Sequence, residues 1–121
     1  MKILEAIKIG SNLLKEKNIP SHILDSELLL SKTLKKSREK ILTNLEKKIE
    51  KKNFYIFKGY LNRRSKNEPI AYILKEKEFW SKKFKVNKDT LIPRAETELL
   101  VDELLRMYKG KKISILDIGT G

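Results

Sequence analysis

Apolar residues recur at helical spacing from the start of the chain. In residues 2–17, Ile3, Ile7 and Leu14 fall on one stripe, widened by Leu4, Ala6 and Leu13. Gly10 interrupts the stripe, and there it costs a helix about 1 kcal/mol relative to alanine. Asn18-Ile19-Pro20-Ser21 ends the pattern, and Pro20 suits the first turn of a new helix, where its missing N–H leaves nothing unpaired. Over residues 20–34, Leu24, Leu28 and Leu34, with Leu29 and Leu30, predict a wide apolar face. Asp25 and Glu27 lie near the positive end of that helix, a favourable placement. Ser37 is the expected N-cap of a short third helix, with Glu39 in its first turn. A fourth helix is expected over about residues 45–66. Its core side would carry Ile49, Ile56, Phe57, Tyr60 and Leu61, broadened by Phe54 and Tyr55, with Lys47, Lys48, Lys51 and Lys52 on the solvated side.

The pattern changes at Asn67-Glu68-Pro69. Pro69 drives Glu68 away from helical angles and ends the long helix. Ile70-Ala71-Tyr72-Ile73 is a short apolar segment. Lys77–Trp80 and Phe84–Asn87, around Ser81-Lys82-Lys83, predict a β-hairpin in which Phe79 and Phe84 pair. Residues 96–108 predict an amphipathic helix. Its buried side would hold Leu99, Leu100, Leu104 and Met107, its charges follow the helix dipole, and Gly110 is its natural stop. Ile113–Ile118 is apolar without alternation, as in a strand buried on both faces.

Composition narrows the classes. The 121 residues suit about one ordinary domain. The chain has no cysteine and a single histidine, His22. That excludes disulfides, thiol catalysis and a multi-histidine metal site, and His22 is expected to be an ordinary helix-start residue. No apolar run approaches the roughly 20 residues needed to span a bilayer. Lys2, Glu5 and Lys8 interrupt any signal-peptide core, so a cytoplasmic location is expected. The net charge of +12 raises a nucleic-acid reading. It is weakened because only Arg38, Arg63, Arg64, Arg94 and Arg106 carry the guanidinium fork suited to phosphates, and because the excess is spread along the chain.

Candidate chemistry lies at the far end. An apolar strand running into Gly119-Thr120-Gly121 is the opening of a nucleotide-type turn. Its glycines would allow close backbone approach to a ligand. The same turn fits a dinucleotide-dependent oxidoreductase, although the long helical prelude does not.

Several strings together carry a family resemblance. They are Arg63-Arg64, Glu68-Pro69-Ile70-Ala71-Tyr72-Ile73, Glu78-Phe79-Trp80, Phe84-Lys85-Val86, Leu91-Ile92-Pro93-Arg94-Ala95-Glu96-Thr97-Glu98-Leu99-Leu100-Val101, and Ile115-Leu116-Asp117-Ile118-Gly119-Thr120-Gly121. In order and spacing the chain resembles the peptide chain release factor N5-glutamine methyltransferases. The Leu-Ile-Pro-Arg string followed by Leu-Asp-Ile-Gly-Thr-Gly is its most specific element. It also separates the chain from sister enzymes that methylate a ribosomal-protein glutamine.

The resemblance implies a mainly α fold: a helical bundle over residues 1–74 that helps to hold a protein substrate, a β-hairpin linker over 75–90, and from 91 the first helix and strand of a truncated Rossmann-like α/β methyltransferase domain. It implies S-adenosyl-L-methionine as cofactor, with Gly119, Thr120 and Gly121 cradling its methionine part and Pro93 and Arg94 beside the pocket. The implied substrate is the glutamine of the Gly-Gly-Gln motif in class I peptide chain release factors. A monomer is expected, with no requirement for nucleic acid, membrane or metal. Ala95 stands where the family usually has a second proline. The family's Asn-Pro-Pro-Tyr string, which grips the substrate amide, does not occur in these residues. The 121-residue piece alone is therefore expected to be inactive. The alternative is a non-catalytic basic helical module that binds a protein or ribonucleoprotein.

Overall fold

A computed structural model describes residues 1–80 and 82–118. The chain divides into two compact units, Met1–Leu74 and Lys75–Gly121. The first contains α1 (Ile3–Glu16), α2 (His22–Leu34), α3 (Arg38–Leu42), α4 (Lys51–Ser65) and α5 (Ile70–Leu74). Helices α1, α2 and α4 pack on one another around Leu14, Leu29, Leu30, Phe57 and Leu61, all fully buried. Each such side chain contributes about 1.5–3 kcal/mol of transfer free energy. Ser37 caps α3 as expected, accepting from the Lys40 N–H at 3.1 Å.

Gly10 owes its place to packing. A Cβ at this position would lie 2.8 Å from Phe57 Cζ and 3.1 Å from Leu61 Cδ2, and it would collide with Ser26 Oγ. Ser26 is fully buried and donates to the Ile7 carbonyl at 2.8 Å. The propensity lost in α1 is offset by the close approach of α2 and α4.

Two expected faces need correction. In α2, Leu24 is exposed, and the buried stripe is Asp25, Ser26, Glu27, Leu29, Leu30 and Thr33. Two carboxylates thus lie inside, because cationic partners from other helices meet them there. In α4, Ile56 and Tyr55 face solvent, and only Phe57 and Leu61 are fully covered. This helix also starts at Lys51 rather than near 45. The preceding residues run beside the N-terminus instead. The Ile49 N–H donates to the Met1 carbonyl at 2.9 Å, Ile3 N–H to Lys47 at 2.9 Å and Leu4 N–H to Leu45 at 3.0 Å.

The second unit begins with β1 (Glu76–Phe79) and β2 (Lys82–Lys85), which pair antiparallel. The register sets Lys77 opposite Phe84 and Phe79 opposite Lys82. Phe79 and Phe84 therefore meet diagonally, edge to face, with centroids 6.0 Å apart. Lys82 and Lys83 belong to the strand and not to the expected three-residue loop. Trp80 turns the chain with a left-handed φ of 49°. Its backbone N–H donates to Glu98 Oε1 at 2.6 Å, and its indole N–H to Asp102 Oδ1 at 2.8 Å. At the hairpin base, the Val86 N–H donates to the Lys75 carbonyl at 3.2 Å.

Helix α6 (Ala95–Tyr108) follows, and Gly110 ends it with φ 77°. Its expected buried side is not buried: Leu99 is 67% exposed, Leu100 60% and Met107 53%. Residues 113–118 form no strand, and Leu116 and Ile118 are exposed. The physical reason is the same in both places. A parallel strand and its covering helix take shape against neighbouring strands, and none lies among the described residues except β1 and β2.

Candidate functional site

Arginine is the scarce cation in this chain, and the structure uses it selectively. Arg64 Nε donates to Asp25 Oδ2 at 2.8 Å, and Arg64 Nη1 to the Glu68 carbonyl at 3.0 Å. The Asp25 side chain is only 3% exposed, and Ser21 Oγ also donates to it at 2.9 Å. Arg63 grips the Glu68 carboxylate with Nε at 3.1 Å and Nη2 at 2.5 Å. This two-pronged contact raises the Arg63 guanidinium above its ordinary value. The hydrogen bond that Arg63 donates to Glu68 is the main cause; partial burial opposes it and the Glu68 charge adds to it. Because the shift is upward, the stability gained from the guanidinium's titration is fully present below the ordinary guanidinium range and is lost as pH rises through the raised value. Neutral pH leaves it untouched. Arg38 reaches the buried Glu27 at 3.1 Å, and Arg106 pairs with Glu103 on α6.

The motif residues Arg63, Arg64 and Glu68 are thus scaffold. They tie the end of α4 to α2 and to the entry of α5. Asp25, Glu27 and Arg38 complete the set, and helical periodicity missed them. The available signal was the pairing of rare arginines with two acids inside an otherwise leucine-rich helix. His22 behaves as an ordinary residue, its Nδ1 2.7 Å from Ser11 Oγ.

Arg94 stands apart. Among the described residues its side chain has no ion pair or hydrogen bond, and it is exposed. It is the N-cap residue of α6, in extended geometry with φ −99° and ψ 144°, and its carbonyl accepts from the Thr97 N–H at 3.1 Å. Pro93 immediately precedes it and is half-buried. An exposed guanidinium at the positive end of a helix can meet an anionic group. Gly119, Thr120 and Gly121 lie outside the described residues, so the structure brings only Pro93 and Arg94 together. No cluster of metal-ligating side chains occurs among the described residues, and no helix there is long and apolar enough to cross a membrane.

Ala95, the first residue of α6, occupies a position that accepts proline, and Arg94 already has the extended geometry that a following proline demands. Ala95→Pro is expected to stabilise the second unit by about 0.4–1 kcal/mol, because it narrows the unfolded ensemble. Slower amide exchange in the first turns of α6 is the readout. Faster exchange there would contradict the assignment of the N-cap.

The profile of the PrmC N-terminal domain family matches residues 5–74. The chain belongs to this family. Curated relatives extend the likeness past the matched domain. A release factor glutamine methyltransferase of Buchnera aphidicola subsp. Acyrthosiphon pisum is 42% identical over 113 residues, 93% of this chain and 41% of the relative. The enzyme of that name from Coxiella burnetii is 48% identical over 99 residues, 81% of the chain and 36% of the relative. That of Buchnera aphidicola subsp. Baizongia pistaciae is 43% identical over 122 residues, covering all of this chain and 44% of the relative. The chain therefore spans about two-fifths of the length of these relatives. Within the PrmC N-terminal domain family match lie all five helices of the first unit except the first two residues of α1.

Proposed function

We propose that these residues are the N-terminal part of an enzyme that methylates the Gly-Gly-Gln glutamine of class I peptide chain release factors. The methyl donor is S-adenosyl-L-methionine. Residues 1–74 hold the protein substrate, 75–90 link, and 91–121 begin the cofactor domain, acting as a monomer in the cytoplasm. The observation that carries this reading is 43% identity, over an alignment that covers all of this chain, with a protein named release factor glutamine methyltransferase.

The chemistry explains the division of labour. An amide nitrogen is a weak nucleophile, because its lone pair is delocalised into the carbonyl. The cofactor supplies an electrophilic methyl group on sulfur. The protein must therefore orient the amide and exclude alternatives to an in-line approach. In this chain Arg94 offers a cation to an anionic part of the ligand, Pro93 stiffens the segment that carries it, and the glycines of 119–121 permit close backbone approach. None of these residues grips the substrate amide, so the 121 residues alone carry out no transfer.

The test has two parts. The 121-residue chain, incubated with a release factor and labelled S-adenosylmethionine, is expected to give no labelled product. Joined to the C-terminal portion of the Baizongia-type Buchnera relative, it is expected to bind that cofactor by calorimetry and to label the release factor, and Arg94→Ala is expected to weaken cofactor binding about tenfold. Turnover by the short chain, or silence from a folded joined polypeptide, overturns the reading.

One observation favours the alternative, a basic binding module. A cleft in the first unit is lined by Ile3, Leu34 and Ile49 with three lysines, Lys36, Lys47 and Lys48, against one acid, Glu50, and by Asn53. Binding of RNA to the 121-residue chain that falls steeply with salt would support that module.

A further inference from the structure

Trp80 is the sole tryptophan and sits in a backbone conformation that bulky residues seldom adopt. At this turn it spends both of its N–H donors on a single helix: the backbone N–H on Glu98 and the indole N–H on Asp102. Positions 98 and 102 are four apart and so share one face of α6. Both acceptors are carboxylates, which strengthens the bonds.

The consequence is topological. Residues 86–94 connect β2 to α6 and carry no regular structure. Among the described residues, the hydrogen bonds between hairpin and helix are those of Trp80, and otherwise the nine residues 86–94 join the two. With these bonds, the tip of the hairpin is pinned to the first and second turns of α6. Val86 is pinned to Lys75 at the other end of the hairpin. The tether becomes a closed loop, and the entropy of closing it is met before any ligand arrives.

We propose that Trp80 is a positioning residue: its two hydrogen bonds to α6 latch the hairpin and hold Ile92-Pro93-Arg94 in a ligand-ready conformation. The functional half of this statement rests on the methyltransferase reading; the latch itself does not.

The latch is tested in the 121-residue chain, with Trp80 emission as its own probe. Asp102→Leu removes the acceptor while keeping a good helix former, and is expected to increase acrylamide quenching of Trp80 about twofold, with unchanged far-ultraviolet dichroism. Asp102→Asn keeps an acceptor oxygen and is expected to restore most of the protection. Quenching that is the same in the parent and in Asp102→Leu overturns the latch. Positioning is tested in the joined polypeptide. Trp80→Phe and Asp102→Leu are each expected to raise KM for S-adenosylmethionine about fivefold, the size of one lost hydrogen bond, with kcat within twofold. The double variant is expected to stay near fivefold, because both changes break the same contact. Multiplying losses, or a fall in kcat at constant KM, overturns positioning. A joined parent that methylates nothing overturns the proposed function and leaves the quenching result standing.

Discussion

Arg64→Met is expected to cost the helical unit about 3–5 kcal/mol, a large share of the 5–15 kcal/mol that holds an ordinary domain together. The loss comes less from the missing attraction than from what remains. Asp25 is left at 3% side-chain exposure with the Ser21 hydroxyl in place of its guanidinium partner. Removing both charges is different. Asp25→Leu with Arg64→Met is expected to recover most of the loss, since a pair of apolar residues carries no desolvation penalty. Urea unfolding of the single and double variants decides it. A double variant as unstable as Arg64→Met would show that the arginine acts through its bond to the Glu68 carbonyl or through its packing.

Gly10→Val is expected to destabilise by about 3 kcal/mol, and Gly10→Ala by about 1–2 kcal/mol, although alanine is the better helix former. Packing wins because the space is filled by side chains that cannot retreat. Phe57 and Leu61 are fully buried, and the Ser26 hydroxyl is committed to the Ile7 carbonyl. The nearest carbon is Phe57 Cζ. Phe57→Leu withdraws that atom, so its cost in the Gly10→Ala background is expected to be smaller than in the parent. Thermal unfolding of the four-member cycle measures the coupling. Additive losses would place the strain elsewhere, on Ser26.

Much of the helical unit was legible from spacing alone. The stripe Ile3, Ala6, Ile7, Leu14 is buried as read, and α1, α2, α3 and α6 fall within two residues of their expected starts and ends. What failed depended on distant partners. Residues 45–49 hydrogen-bond with residues 1–4, an arrangement that no local period records. Asp25 and Glu27 looked like dipole-matching surface acids because their arginines come 39 and 11 residues later. Ile70–Leu74 was visible only as an apolar segment, since one turn and a half of helix is too short to show a period. The first strand of the hairpin lies one residue earlier than expected and the second two residues earlier, because Trp80 enters the turn in a left-handed conformation. In the second unit the sequence pattern describes a buried helix and strand, whereas the structure leaves both exposed. Burial there is a property of neighbours, and the amphipathic pattern of α6 is intact without them. For the candidate site, Pro93 and Arg94 were nameable from a string. That Arg94, alone among five arginines, meets no carboxylate among the described residues required coordinates.

The 39-residue separation of Asp25 from Arg64 has a consequence for synthesis on the ribosome. The chain is made vectorially, at about 5–20 residues per second, so the guanidinium emerges roughly 2–8 s after the carboxylate. During that interval the first two helices can pair, yet they carry a charge that has no cationic mate and must stay wetted. The Arg64–Asp25 contact can therefore close only after the last turn of the longest helix of the bundle has been made.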